Sequence, residues 1–407
     1  MDNIESCCRK FSPFIRKWRR HLHHHPELSG SEIESARFIS RILTEYGIEH
    51  QSNLGGYGIV ASLGDNSDNR KKEIAFRADF DALPLDDHKT TGYASNNPGV
   101  MHACAHDAHA ATLLGLAAAL KENPQALQTP VKFIFQPAEE NGQGAAAMLQ
   151  EGLFSSPPAA IFGFHFFPEM EAGSARLHRQ AFMAATEHFT ITIKGRSAHA
   201  CMPEKSIDAI QVAAQLILAF NHLICKDLNP IDPALISIGT INGGTVSNII
   251  ASQVVMTGTI RSLSQEQHQR LHNALQRIVT ELPQAFGAEA EITIGEVAPA
   301  LKNDPRLCEL MVDILAENQL ITHFEDNSPP LLGGEDFARF AQQVPGCYLF
   351  FGCGNQKQGI IHPLHSSLFD IDENALDVAL TTMYRIALKG DEIIKKLSSN
   401  AGVAGTK

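Results

Sequence analysis

The sequence contains no apolar run approaching the roughly 20 residues that a membrane-spanning helix needs. It also has no C-x-x-C pair, no internal repeat and no low-complexity tract. Positive charge is scarce: 33 Lys and Arg against 45 Asp and Glu leave a formal net charge of -12 at pH 7. Each absence narrows the field. A polyanion is bound by a basic face, so this balance argues against a nucleic-acid partner. The one basic run, Arg16-Lys17-Trp18-Arg19-Arg20, reads as a solvated helix face rather than a membrane or RNA site. Met1 to Arg20 have charges scattered through them and no apolar core of signal-peptide type, so a cytoplasmic protein with no membrane partner is expected. The 8 cysteines are scattered, and the adjacent Cys7 and Cys8 are badly placed to bridge each other. Buried thiols account for most of them, including Cys225, Cys308, Cys347 and Cys353.

What remains is an ordinary globular composition, 44% hydrophobic and 19% charged, on 407 residues. That is too long for one core and points to two domains. Residues 10–46 read as helical with a break at Gly30. Short β-rich runs (58–63, 73–79, 131–136 and 160–164) then alternate with helical stretches at 107–121 and from 144 to 150. Such alternation implies an α/β layered domain with helices on both faces of a central mixed sheet. Near residue 182 the pattern changes. Strands at 189–194, 235–241, 254–260 and 289–294, with helices at about 207–227 and 264–286, follow the β-α-β-β-α-β order of a small ferredoxin-like α+β unit. The expected organisation is one α/β domain, 1–181 and 297–407, interrupted by a satellite domain, 182–296. Helices at about 304–318, 334–343 and 372–389, and a buried strand at 347–351, complete the first domain.

The chemistry is concentrated in Met101-His102-Ala103-Cys104-Ala105-His106-Asp107-Ala108-His109, which brings a thiol, three imidazoles and a carboxylate into one short segment. These are ligands for borderline-soft divalent metals. Cys104 and His106 cannot share a helical face at this spacing, but a loop leading into a helix can aim both at one ion. His102, Asp107 and His109 then shape the loop. A second cluster, Gln136-Pro137-Ala138-Glu139-Glu140, follows an apolar strand. Metal-assisted hydrolysis needs one carboxylate as ligand and one as general base. Glu140 is assigned as ligand and Glu139 as base, although the sequence alone supports the swap. His165 follows the run 160–164, and ligands in α/β sheets gather at the carboxyl ends of strands. His365, in His362-Pro363-Leu364-His365-Ser366-Ser367, taken alone is an ordinary loop residue.

These clusters occur in order with Leu22-His23-His24-His25-Pro26-Glu27-Leu28-Ser29, Phe76-Arg77-Ala78-Asp79-Phe80-Asp81-Ala82-Leu83-Pro84 and Gly333-Gly334-Glu335-Asp336-Phe337. Over nearly the whole chain the set resembles the aminoacylase/carboxypeptidase family of dinuclear metallohydrolases. The nearest branch is that of the N-acyl-amino-acid amidohydrolases, which includes indole-acetyl-amino-acid hydrolases and hippurate hydrolases. The resemblance implies two divalent metal ions (Zn, Mn, Co or Ni) held by Cys104, His106, Glu140, His165 and His365, with Glu139 as general base. It implies support for the site from Asp79 and Asp81, and a homodimer formed through the satellite domain. In Gly195-Arg196-Ser197-Ala198-His199-Ala200 it implies that His199 stabilises the developing oxyanion. It marks Asn248 and Arg261 as substrate-contacting positions, with Arg261 suited to a substrate carboxylate. Three positions depart from the family pattern: Ala105 and Ala108 stand where glycine is usual, and Ala251 where proline is commoner. The expected activity is metal-dependent hydrolysis of an N-acyl amino acid or a small peptide-like amide. A dipeptidase or carboxypeptidase with the same centre is the alternative. A non-catalytic dimeric binding protein would lack a ligand or the base, and none is missing.

Overall fold

A computed structural model of the chain describes residues 3–64, 72–229 and 231–399. The chain divides into two compact units. One comprises Met1–Gln180, Lys302–Pro329 and Asp336–Lys407, the other Ala181–Leu301 and Pro330–Glu335.

The first unit is built on a mixed sheet of eight strands. Their order is His50–Leu54, Gly58–Leu63, Val131–Gln136, Ile74–Asp79, Ala160–Glu171, Gly346–Gly354, Ser174–Leu177 and His323–Asp326. The central four are mutually parallel. Ile74–Asp79 and Gly346–Gly354 are buried at every residue, as strands covered on both faces should be, and both are rich in apolar residues, with Arg77 and Asp79 the charged exceptions. Parallel strands also send all their carboxyl ends to one edge, where α/β sheets bind ligands.

Helix His106–Glu122 is buried from His106 through Leu120. Its Ala- and Leu-rich sequence has no polar face, the mark of a helix enclosed on all sides. Helix Ser12–His24 packs beside it, and here the basic run departs from expectation. Arg19 is not solvated but fully buried, ion-paired to Asp107 (3.0 Å), Asp370 (2.5 Å) and Glu373 (3.2 Å). Three acidic groups from the helix start and the C-terminal region offset the desolvation of one guanidinium. The expected helical stretch 10–46 is two helices, Ser12–His24 and Ile33–Glu45, joined by an extended segment that turns at Gly30, where φ is 80°.

The second unit has the element order strand Ala185–Lys194, helix Ala209–Lys226, strands Ala234–Gly243 and Gln253–Ser262, helix Gln265–Glu281 and strand Glu289–Ile294. All pairings in its four-stranded sheet are antiparallel. Both helices start at side-chain caps, Asp208 and Ser264. The second stops at Glu281 rather than 286, because Pro283 opens a separate 3₁₀ turn over Pro283–Phe286. Helix Ala209–Lys226 is long and apolar enough, at mean hydropathy 1.3, to cross a membrane by composition alone, which the sequence reading did not anticipate. Its buried residues Val212, Ala213, Leu216, Phe220 and Leu223 recur every three or four positions and pack into the unit's core with Ile191, Val254 and Leu271. Cys225 lies on the outer side of this helix and is exposed, against the expectation of a buried thiol, whereas Cys308, Cys347 and Cys353 are buried.

Candidate metal centre

Cys104 and His106 flank Ala105, which adopts left-handed backbone geometry at φ 65°. Such a conformation costs an alanine about 1–2 kcal/mol. Here it starts the helix: the Ala105 carbonyl accepts from Ala108 N (2.9 Å) and His109 N (3.0 Å). The same reversal brings residues two apart onto one point. The ligand atoms of Cys104, His106 and His165 lie within 4.8 Å of one another, as do those of Cys104, Glu140 and His365, and of His106, Glu139 and Glu140.

The two glutamates sit on a tight turn after strand Val131–Gln136. Ala138 is again left-handed, at φ 54°. Its carbonyl accepts from Gly144 N at 3.0 Å, and Gly142 N donates to Glu139 O at 2.7 Å. Gly144 has no room for a side chain, since a Cβ there would stand 1.7 Å from the Pro137 carbonyl oxygen. His365 is the third left-handed residue of this cluster, at φ 62°. It is pinned by its N–H to Ala103 O at 2.8 Å, and its Nε2 lies 3.6 Å from Glu140 Oε1. His165 lies inside a strand rather than after one. Pairing with Gly346–Gly354 extends the expected run 160–164 to Ala160–Glu171, with His165 opposite Phe350.

Hydrogen bonds around the cluster decide which ring nitrogens face inward. His165 Nδ1 donates to the Phe166 carbonyl at 2.8 Å, which leaves Nε2 beside Cys104 Sγ at 3.4 Å. His106 Nδ1 donates to Asp81 Oδ1 at 3.0 Å. Asp81 also accepts from Glu140 N at 3.0 Å and Ser29 Oγ at 2.7 Å, so one carboxylate orients an imidazole and the glutamate turn together. A carboxylate behind a ligating imidazole fixes its tautomer and raises its basicity. His109, expected to shape the loop, bridges Asp79 Oδ1 (2.6 Å) and the amide of Phe166 (3.2 Å), next to His165. Asp107 joins Arg19 to His23 Nδ1 (2.8 Å).

On the protein's own charges, burial pushes the Cys104 thiol well up, with Glu140 adding to it. Burial also raises the Glu140 carboxyl to about 7. Burial and His109 hold His165 well below the usual imidazole range. Burial opposes charge on His106, but Asp79 and Cys104 outweigh it and hold that ring high. A divalent cation inverts this logic for thiol and carboxyl alike. Two buried atoms, His106 Nε2 and Glu140 Oε1, have no hydrogen-bond partner and lie 3.9 Å apart. Inside a protein, unpaired polar atoms are costly. Thiol, imidazole and carboxylate donors converging on one locus, two of them otherwise unsatisfied, fit a divalent metal ion.

His199, Asn248 and Arg261 belong to the second unit. His199 and Asn248 are exposed, His199 accepting from Cys201 N at 3.2 Å. Arg261 is half-buried, and its Nη1 donates to Thr186 Oγ1 (3.2 Å) and Leu332 O (3.1 Å). The supports of the carboxylate turn gave weaker signals in the sequence. Asp336 was visible only as part of a motif without a role. It accepts from Arg77 Nη2 (2.9 Å), Gln136 Nε2 (2.7 Å) and Ala145 N (3.0 Å), binding the ends of the turn. Glu32, whose carboxylate accepts from the Ala138 amide at 2.9 Å, had no sequence signal beyond its place three residues after a family motif.

Residues 75–389 match the sequence pattern of the peptidase family M20/M25/M40, and the chain belongs to that family of hydrolases. It is 36% identical to the N-acetyl-L-cysteine deacetylase of Bacillus subtilis over 371 residues, covering 91% of this chain and 86% of that protein. It is 33% identical to thermostable carboxypeptidase 2 of Saccharolobus solfataricus, covering 96% and 98%. Among solved structures, the YXEP protein of Bacillus subtilis, described as a dinuclear metal binding peptidase of the M20 family, superposes with a TM-score of 0.78 at 31% identity, covering 93% and 98%.

Proposed function

We propose that the protein is a cytoplasmic, homodimeric amidohydrolase that cleaves N-acyl amino acids at a two-metal centre. The observation behind this reading is the pair of buried, unpartnered ligand atoms, His106 Nε2 and Glu140 Oε1, with Glu139 Oε2 3.9 Å from the same nitrogen. Cys104, His106, Glu140, His165 and His365 would hold two divalent ions, Zn, Mn, Co or Ni, whose chemistry is Lewis acidity and an acidified water. Glu139 takes the proton of the attacking water and returns it to the leaving amine. Asp81 keeps the His106 ring and the glutamate turn in register while the charge shifts. His199, Asn248 and Arg261 are assigned to substrate binding from their motifs, His199 as oxyanion donor and Arg261 as the partner of the substrate carboxylate. The similarity to a deacetylase of an N-acyl amino acid supports the substrate class.

A second reading, dipeptidase or carboxypeptidase, is favoured by the similarity to a named carboxypeptidase. One screen separates them. Metal-stripped protein is reconstituted in turn with each of the four ions and offered N-acyl amino acids, dipeptides and longer peptides. Turnover led by acylated amino acids is expected; turnover led by peptides moves the protein to the second reading.

A further inference from the structure

The segment between helices Ser12–His24 and Ile33–Glu45 contains a carboxylate whose position its own surroundings do not require. Glu32 stands at the start of the second helix but does not cap it with its side chain. Glu27 supplies that function, its two oxygens accepting from Glu34 N (3.1 Å) and Ser35 N (2.8 Å). Glu32 instead turns inward and is 0% exposed. Its Oε1 accepts from Gly30 N and Ala138 N, each at 2.9 Å, while Oε2 is buried with no hydrogen-bond partner. Burying a carboxylate in this way is expensive. Burial pushes its pKa up and the hydrogen bond from Gly30 N pulls it back.

Ala138, at the far end of that bond, is the left-handed residue immediately before Glu139. An L side chain disfavours this backbone region, so the geometry must be held from outside. It is held on both sides: Ala138 N by Glu32 and Ala138 O by Gly144 N. Those two bonds hold the peptides on either side of Ala138, and Gly142 N holds Glu139 O beyond them at 2.7 Å. We infer that Glu32 is a positioning residue for the general base, fixing the left-handed peptide that aims Glu139 at the metal cluster. It touches neither the ligands nor the substrate in this role, and acts through the Ala138 backbone.

The inference rests on Glu139 being the base, so E139Q is measured beside the Glu32 variants in full-length, metal-loaded protein. E32A is expected to keep its metal content and its KM and to lose kcat by about 100-fold, the cost of a displacement of about 1 Å in a catalytic group. E32Q retains an acceptor at Oε1 and should recover to within about 10-fold of the wild-type kcat. Aspartate keeps the charge but is one methylene too short, so E32D should behave as E32A does; E32D against E32Q serves if E32A does not fold. Wild-type kcat in a folded, metal-loaded E32A or E32D overturns the inference. So does a loss confined to metal content or KM, or an E32Q no better than E32A. If E139Q turns over at the wild-type rate, the general-base reading fails first; an inactive E139Q beside a fully active E32A removes only the role of Glu32.

Discussion

Replacing Arg77 by methionine tests whether the site stands on a buried charge network. Arg77 is 1% exposed. Its guanidinium donates to Gln136 Oε1 (2.8 Å), Asp79 Oδ2 (2.7 Å) and Asp336 Oδ1 (2.9 Å). Methionine fills much of the space but strands two buried carboxylates. Removing one partner of a buried pair costs about 3–5 kcal/mol. Both carboxylates keep other donors: Asp79 retains His109 (2.6 Å), and Asp336 retains Gln136 Nε2 (2.7 Å) and Ala145 N (3.0 Å). The lower end of the range, about 3 kcal/mol, is therefore expected. With a urea slope of about 3 kcal/mol per M, the midpoint should fall by about 1 M.

The single tryptophan makes the assay local. Trp18, 5% exposed, lies in helix Ser12–His24 of the first unit, so its fluorescence reports unfolding there. Metal is removed first, because a bound ion would add stability of its own. The penalty also has a pH signature. Burial pushes the Asp79 carboxyl up, but Arg77 together with His106 and His109 outweighs it and holds the group well below the usual carboxylate range. In wild type that stability is present above about pH 4 and is lost only in stronger acid. In R77M the largest contribution lowering this pKa is gone while those of His106 and His109 remain, so the folded-state pKa moves up and less of that stability is present. The gap between the two proteins should therefore be widest above about pH 4 and narrow in stronger acid. A midpoint shift below about 0.3 M, roughly 1 kcal/mol on the same slope, or a gap independent of pH, would refute the network argument.

Three further outcomes are expected. Glu139→Ala should retain bound metal, measured by elemental analysis, and lose kcat by about 100-fold or more; near-normal hydrolysis would reverse the assignment of the two glutamates. Metal affinity should weaken by about 100-fold between pH 8 and pH 6 in calorimetric titration, because the Cys104 proton must leave at both pH values and each unit costs tenfold. The Glu140 carboxyl, near 7 in the absence of an ion, should steepen the lower part of that curve, and a flat profile would exclude thiolate ligation. At Ala105, fully buried at φ 65°, valine should cost at least about 2 kcal/mol. Glycine should stay within about 1 kcal/mol of wild type, relief of backbone strain offsetting the freer unfolded chain. Denaturation of the pair checks this, and an A105V as stable as wild type would contradict the left-handed geometry.

The layered α/β unit was legible in the sequence because its central strands are enclosed on both faces and contain little but apolar residues. The element order of the second unit was legible because three of its four sheet strands alternate and its two helices are capped. The edge strands His50–Leu54 and His323–Asp326, and the four-residue strand Ser174–Leu177 inside the sheet, were not. All three are short and the two edge strands are partly exposed, so neither run nor alternation marks them. Arg19 was misplaced because burial of a cation depends on acids at Asp107, Asp370 and Glu373, distant in sequence. Cys104, His106, Glu139, Glu140, His165 and His365, which the structure brings together, could be named as one candidate set only with the family resemblance, since His365 alone is an ordinary loop residue. Of what aims these candidates only Asp81 was expected; Glu32 and Asp336 were not, since they act through amide groups contributed by other segments.

Helix His106–Glu122 has one more consequence. It begins with a proposed metal ligand, and it is enclosed on every side from His106 to Leu120. An ordinary surface helix tolerates substitution with a rhythm of three or four residues, permissive outside and strict within. In a saturation library of this segment, survival should show no such rhythm. Polar substitutions should be depleted at every position, and the strict zone should run unbroken from the core into the metal cluster.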